Sequence, residues 1–207
     1  MSGTPHRIPN VAVTGGIACG KSALGFFLSE LGADVMDADE VVHELQCPGG
    51  AIALAVADEF GPEYMTPDGA VDRSRLGARV FRDSAALARL NALSHPLVRA
   101  RLGEWRDAPA ETWCRVALIP LLFESGWERD WDYTVCVFCG EAVQMDRMRA
   151  RGWTEADSRQ RLSAQLPLSE KMRRADYSIR NDGTMEDLRR EAEKLKQHLT
   201  SIFTEAR

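Results

Sequence analysis

Eight residues, Gly15-Gly16-Ile17-Ala18-Cys19-Gly20-Lys21-Ser22, fit the spacing Gly-x-x-x-x-Gly-Lys-Ser at every defined position. The chemistry such a run performs is phosphate binding. Gly15 and Gly20 permit backbone angles and close approaches that a Cβ blocks. The loop amides, up to that of Ala23, then turn inward at a helix N-terminus and hold phosphate oxygens. Lys21 neutralises the outer phosphates of a nucleoside triphosphate, and the Ser22 hydroxyl is the expected Mg2+ ligand.

The loop does not name a reaction. No Asn-Lys-x-Asp base-reading motif of a GTPase is present. Asp58-Glu-Phe-Gly61 matches a short GTPase pattern but falls in a helical stretch. The apolar run Arg115–Ile119 ends in Pro120 rather than in the Asp of an ATPase motor. The best class is a kinase of a small hydroxyl substrate, which needs an acceptor-side base and positive charge around the transferred group. Asp37 and Asp39 flank Ala38 just after a predicted strand, at the carboxyl edge where open α/β sheets bind ligands. Either carboxylate could serve as base or hold Mg2+ through water; Asp37 equally fits a helix cap. Between Gln144 and Arg174 stand eight basic and four acidic residues, a net +4 that leaves −9 for the rest of the chain. Arg147 and Arg151 are four apart, as are Arg161 and Gln165, which puts each pair on one helix face. Such a patch fits either a lid over a small polyanion or a solvated helix surface.

The elements that must position these groups follow from hydrophobic pattern. Strands are expected at 10–14, 33–36, 115–119, 134–138 and 177–179, each a short apolar run. Helices are expected at 21–31, 51–60, 73–81, 84–93, 97–105, 141–151, 154–165, 169–175 and 185–202, with another opening at Asp37. Leu188, Ala192, Leu195 and Leu199 give the last helix its apolar face. Strands alternating with helices imply a five-stranded parallel sheet flanked by helices, an α/β core; with the phosphate loop after its first strand, that core resembles the phosphate-loop NTPases of the nucleoside monophosphate kinase type. The single domain over 1–207 divides into a core (10–48, 110–143 and 176–207), an inserted helical lobe (49–109) and a lid region (144–175).

Composition narrows the class. The 207 residues are 44% hydrophobic and carry a net charge of −5, ample for a packed core and opposed to a nucleic-acid binder. No apolar run approaches a membrane span, and the start MSGTPHRIPN lacks the apolar segment of a secretory signal. The expectation is a cytoplasmic protein, more readily monomeric than oligomeric. The cysteines, Cys19, Cys47, Cys114, Cys136 and Cys139, are odd in number and scattered, unlike a disulfide framework. Cys136 and Cys139 read as structural thiols on opposite faces of a strand. Cys19, beside Lys21 at a helix N-terminus, reads as an activated, alkylation-sensitive thiol.

Taken together, the chain resembles the dephospho-CoA kinase family. The resemblance is carried in order by Thr14-Gly-Gly-Ile with Gly20-Lys-Ser, Asp37-Ala-Asp39, Asp68-Gly69 with Arg73 and Leu76, and His95-Pro-Leu. It continues through Pro120-Leu121-Leu122-Phe-Glu124, Gln144-x-x-Arg147 with Arg151, Arg161-x-x-x-Gln165, Lys171 with Ala175-Asp176, and Asn181. The resemblance implies transfer of the ATP γ-phosphate to the ribose 3′-hydroxyl of dephospho-CoA, with Mg2+. It implies Asp39 as base, Lys21 and Arg147 at the phosphates, and Arg151 and Asn181 at the nucleotide. Asp39, Arg73, His95, Pro120, Leu121, Leu122, Glu124 and Arg161 fall to the acceptor; for His95, helix capping is the other reading. Another small hydroxyl or nucleotide acceptor is the alternative. The loop departs from the family's usual Gly-Ser-Gly-Lys-Ser-Thr at Ala18, Cys19 and Ala23. Ala23 leaves only an amide where a hydroxyl would meet the α-phosphate.

Overall fold

In the computed structural model, residues 8–205 are described. The first seven residues, part of the start MSGTPHRIPN in which no secretory segment was expected, and 206–207, the end of the expected core segment, lie outside them. The elements are β1 (Asn10–Gly15), α1 (Lys21–Glu30), β2 (Asp34–Asp37), α2 (Ala38–Gln46), α3 (Ala51–Phe60), α4 (Arg73–Val80), α5 (Ser84–Asp107) and β3 (Arg115–Leu118). They continue as β4 (Tyr133–Phe138), α6 (Glu141–Ala150), α7 (Glu155–Ser163), α8 (Leu168–Arg174), β5 (Tyr177–Arg180) and α9 (Met185–Glu205). Two compact units result, Ala38–Pro109 and the remainder. The helical unit thus starts at Ala38 and takes in α2, where residue 49 was the expected boundary.

The larger unit is a parallel sheet in the order β2-β3-β1-β4-β5. Every pairing is parallel, with Val11 opposite Val116 and Tyr133, and Val135 opposite Tyr177. Parallel strands are covered on both faces, so their residues are apolar without alternation. Val11, Val13, Val116, Val135 and Val137 are buried completely. α1 and α9 pack against each other, and the expected face of α9 (Leu188, Ala192, Leu195, Leu199) joins the same core. Because all strands run one way, the loops after β1, β3, β4 and β5 leave from one edge.

The helical unit is organised on α5, which meets α2, α3 and α4. Ile52, Val56, Leu76, Ala86, Val98 and Leu102 are among its buried apolar residues. Asp72 caps α4 by accepting from the Arg75 amide at 2.9 Å, and Asp83 caps α5 through Ala85 and Ala86. The turn signal at Thr66–Gly69 holds: Gly69 has φ +88, and Met65 bridges Val71. The two helices expected at 84–93 and 97–105 are one. Pro96 lies inside α5, where it removes one backbone donor, and packing on three helices carries the axis through.

Candidate active site

The phosphate loop runs from the buried end of β1 to the first turn of α1. Gly15 has φ +145, and a Cβ there would meet the Val137 carbonyl oxygen at 2.0 Å, so β4 excludes any side chain. α1 begins after Gly20 with no side-chain cap and no acidic residue in its first turn. Its N-terminal amides and dipole are therefore left for an anion. Lys21 donates from Nζ to the Gly16 carbonyl at 3.3 Å, and Ser22 is exposed one residue on.

The loop carbonyls are fastened by three side chains. Gln144 Nε2 donates to Ile17 O at 2.7 Å, Arg147 Nη1 to Ala18 O at 3.5 Å, and Asn181 Nδ2 to Cys19 O at 2.8 Å. These bonds hold three successive carbonyls on side chains, while the Cys19 amide donates to the Gly16 carbonyl at 3.3 Å; a loop braced in this way can present its remaining amides to an anion. Gln144 stood in the resemblance but not among the expected site residues. Nothing local marks it, since its partner is 127 positions away. Asn181, expected beside the base, is buried with its amide on the loop. Its place in this structure is that of a loop fastener.

Ala18 adopts φ +58, alone in a left-handed conformation among the described non-glycine residues. The family's usual glycine there would carry no such strain; an alanine costs about 1–2 kcal/mol. Cys19 departs from its expectation. Its side chain is fully buried, and Cys139 Sγ donates to its Sγ at 3.4 Å. That hydrogen bond lowers the Cys19 thiol to about 7 against the opposing effect of burial, with the Lys21 charge and a Gly16 backbone hydrogen bond assisting. The thiol is activated as expected but is closed off from a bulky reagent.

The segment after β3 is tied to α8. Lys171 is fully buried, and its Nζ donates to Pro120 O at 2.9 Å, Gln165 Oε1 at 3.4 Å and Glu124 Oε1 at 2.8 Å. Glu124 Oε1 also accepts from the Leu166 amide at 2.9 Å. Thr14 Oγ1 donates to Pro120 O at 3.2 Å, linking β1 to the same point. Leu122 has no exposed surface, so its side chain is core and not an acceptor contact as expected. Leu121 beside it is 39% exposed. Gln165 lies past the end of α7, so it does not share a helix face with Arg161. Arg161 stacks over Trp153 at 4.4 Å and stays exposed, and Arg151 is the exposed C-cap of α6.

In the helical unit, Asp39 is exposed in the first turn of α2, two residues beyond the carboxyl end of β2. Arg73 opens α4 and lies 3.3 Å from His43 Nδ1 through Nη1. His95 sits mid-helix in α5, which removes the capping reading, and partial burial holds its imidazole below the usual range.

Sheet order, loop and arginine-bearing helices define a phosphate-loop kinase. The dephospho-CoA kinase family model matches residues 10–187. A dephospho-CoA kinase of Bdellovibrio bacteriovorus is 36% identical over 93% of this chain and 96% of its own. A Thermus thermophilus crystal structure superposes with a TM-score of 0.79 at 31% identity, covering 93% of this chain and 98% of that one. The dephospho-CoA kinase of Campylobacter jejuni superposes at 0.69 with 26% identity, covering 93% and 97%. The chain belongs to the dephospho-CoA kinase family.

Proposed function

We propose that this chain phosphorylates the ribose 3′-hydroxyl of dephospho-CoA with ATP, giving CoA and ADP. The observation that carries the reading is the loop itself: an uncapped helix start behind carbonyls fastened by Gln144 and Asn181, in a chain of this family. The loop amides hold the ATP phosphates, and Lys21 and Arg147 balance the charge that spreads over the transferred group. Asp39, exposed at the start of α2, accepts the proton of the attacking hydroxyl. Arg151 and Arg161, both exposed, are the cations assigned to the phosphates, and Arg73, His95 and Leu121 are assigned to the acceptor. Glu124 and Lys171 keep the Pro120 turn in place for them.

Ser22 offers one hard oxygen next to Lys21, a donor set that fits Mg2+ held mainly by phosphate oxygens and water. Bound there, the ion would add positive charge between the phosphates. All five cysteines are free thiols, which fits a reducing, cytoplasmic setting. Among the described residues no helix is long and apolar enough to cross a membrane.

A coupled assay tests the proposal. ADP release from ATP should require dephospho-CoA and should not respond to adenosine, shikimate or nucleoside monophosphates. A response to one of those instead would assign a different acceptor.

A further inference from the structure

Cys19 and Cys139 are 120 positions apart in the chain, yet their sulfurs lie 3.4 Å apart. Cys19 is 0% and Cys139 4% exposed. Cys139 stands between the end of β4 and Gly140, the cap of α6. A disulfide bond is about 2.05 Å long, so closure needs an approach of about 1.4 Å. The other thiols are differently placed. Burial pushes Cys114 and Cys136 up to about 12, and Cys47 is exposed with its Sγ directed to the His43 carbonyl. Among the described residues, the Cys19–Cys139 pair alone joins a low-pKa thiol to a second thiol in contact. Cys139 is shifted upward because it donates to Cys19 and is buried. The first is thus the attacking sulfur and the second the resolving one.

We propose that Cys19 and Cys139 form a reversible disulfide across the phosphate loop, with hydrogen peroxide or another small hydroperoxide as oxidant, and that this bond switches off nucleotide binding. The Cys19 thiolate attacks one peroxide oxygen and the O–O bond breaks. The departing hydroxide takes a proton and leaves as water. Cys139 then attacks the sulfur of the resulting sulfenic acid, and that hydroxide leaves as a second water with the Cys139 proton. Two thiols and one peroxide give one disulfide and two waters, and a dithiol reductant restores the pair. A peroxide is little larger than water and needs a far smaller opening than a thiol-labelling reagent does.

Closure must deform the loop. A Cβ on Gly16 would meet Cys19 Sγ at 2.6 Å, so the sulfur already lies close against the loop backbone. The Cys19 carbonyl is held by Asn181, and Ala18 is already left-handed. Drawing the sulfur toward β4 therefore moves the amides that hold phosphate. Losing one hydrogen bond to a charged phosphate weakens binding about tenfold or more. The inference rests on ATP binding at this loop and not on the identity of the acceptor.

The experiment uses the whole chain and ATP alone. Peroxide-treated protein should lose two hydrogens in intact mass, yield a Cys19–Cys139 linked peptide, and bind ATP at least about tenfold more weakly. Dithiothreitol should restore binding. Cys139→Ala should bind ATP when reduced, form no linked peptide and show no reductant-reversible loss. Cys47→Ser should behave as the parent does. If Cys139→Ala fails to fold, Cys139→Ser replaces it, and peptide mapping of the parent chain decides in either case. Absence of the linked peptide, or a linked chain that binds ATP as tightly as the reduced one, overturns the proposal. A chain that binds ATP and responds to peroxide but ignores dephospho-CoA would fail the functional reading alone.

Discussion

Helices α7 and α8 are neighbours in the same basic segment; Arg173 of α8 pairs with Glu170 in solvent, but Lys171 and Arg174 have a different fate from the cations of α7. In α7 only Ser158 is buried; Arg159 pairs with Glu155 one turn away in solvent, and Arg161 lies exposed on Trp153. In α8, Lys171 is buried on Glu124 and Pro120, while Arg174 pairs with Glu128 and lies over Phe123. Surface pairs such as Arg159–Glu155 contribute little, whereas losing one partner of a buried pair is costly. The net +4 therefore contains two populations: charge consumed by the fold, and charge left at the surface. Adding up a segment does not separate them; burial does.

The sharpest way to break this contrast is Lys171→Ala. It leaves the Glu124 carboxylate without its ammonium and should destabilise the chain by about 3–5 kcal/mol, read by urea denaturation. Arg161→Ala should change stability by no more than about 0.5 kcal/mol while lowering turnover severalfold or more. Equal stability losses from the two variants would erase the distinction. Asn181→Ala probes the loop on the fold side: about 1–3 kcal/mol is lost from an orphaned buried carbonyl, and ATP binding weakens with it. Ala18→Gly should relieve the left-handed strain and raise stability by about 1 kcal/mol, checked by thermal melts at matched ionic strength.

The Cys19 site adds a pH dependence. Its thiol, lowered to about 7, faces Cys139, Lys21 and Cys136. Thiolate is the reactive form, so the rate of peroxide oxidation should climb as pH rises through about 7 and then level off. Stopped samples mapped for the linked peptide would measure it; a flat profile from pH 6 to 8 would remove the thiolate from the mechanism.

What was legible in the sequence is what local pattern encodes. Continuous apolar runs gave the strands, because a parallel sheet is covered on both sides. Gly-x-x-x-x-Gly-Lys-Ser marked the loop, because its backbone geometry demands those types. Pro96 misled, since a proline weakens a helix locally while tertiary packing decides whether the axis continues. Leu122 was misassigned because a matching motif does not say which way a side chain points. Gln144 and Asn181 hold the loop carbonyls, and Cys139 meets the Cys19 thiol, from positions more than a hundred residues away, and only the folded sheet brings them there.

The central claim is that the fastened loop delivers the γ-phosphate of ATP to one hydroxyl of dephospho-CoA. Asp39→Asn should leave ATP affinity within about twofold and lower turnover by about 10²–10⁴, since only the proton acceptor is lost. The most direct measurement of the claim is phosphorus NMR of the product formed from γ-labelled ATP and dephospho-CoA by the unmodified chain. The account predicts one labelled phosphate on the ribose 3′-oxygen for each ADP released. Label found as free phosphate, or on any other oxygen, would contradict it.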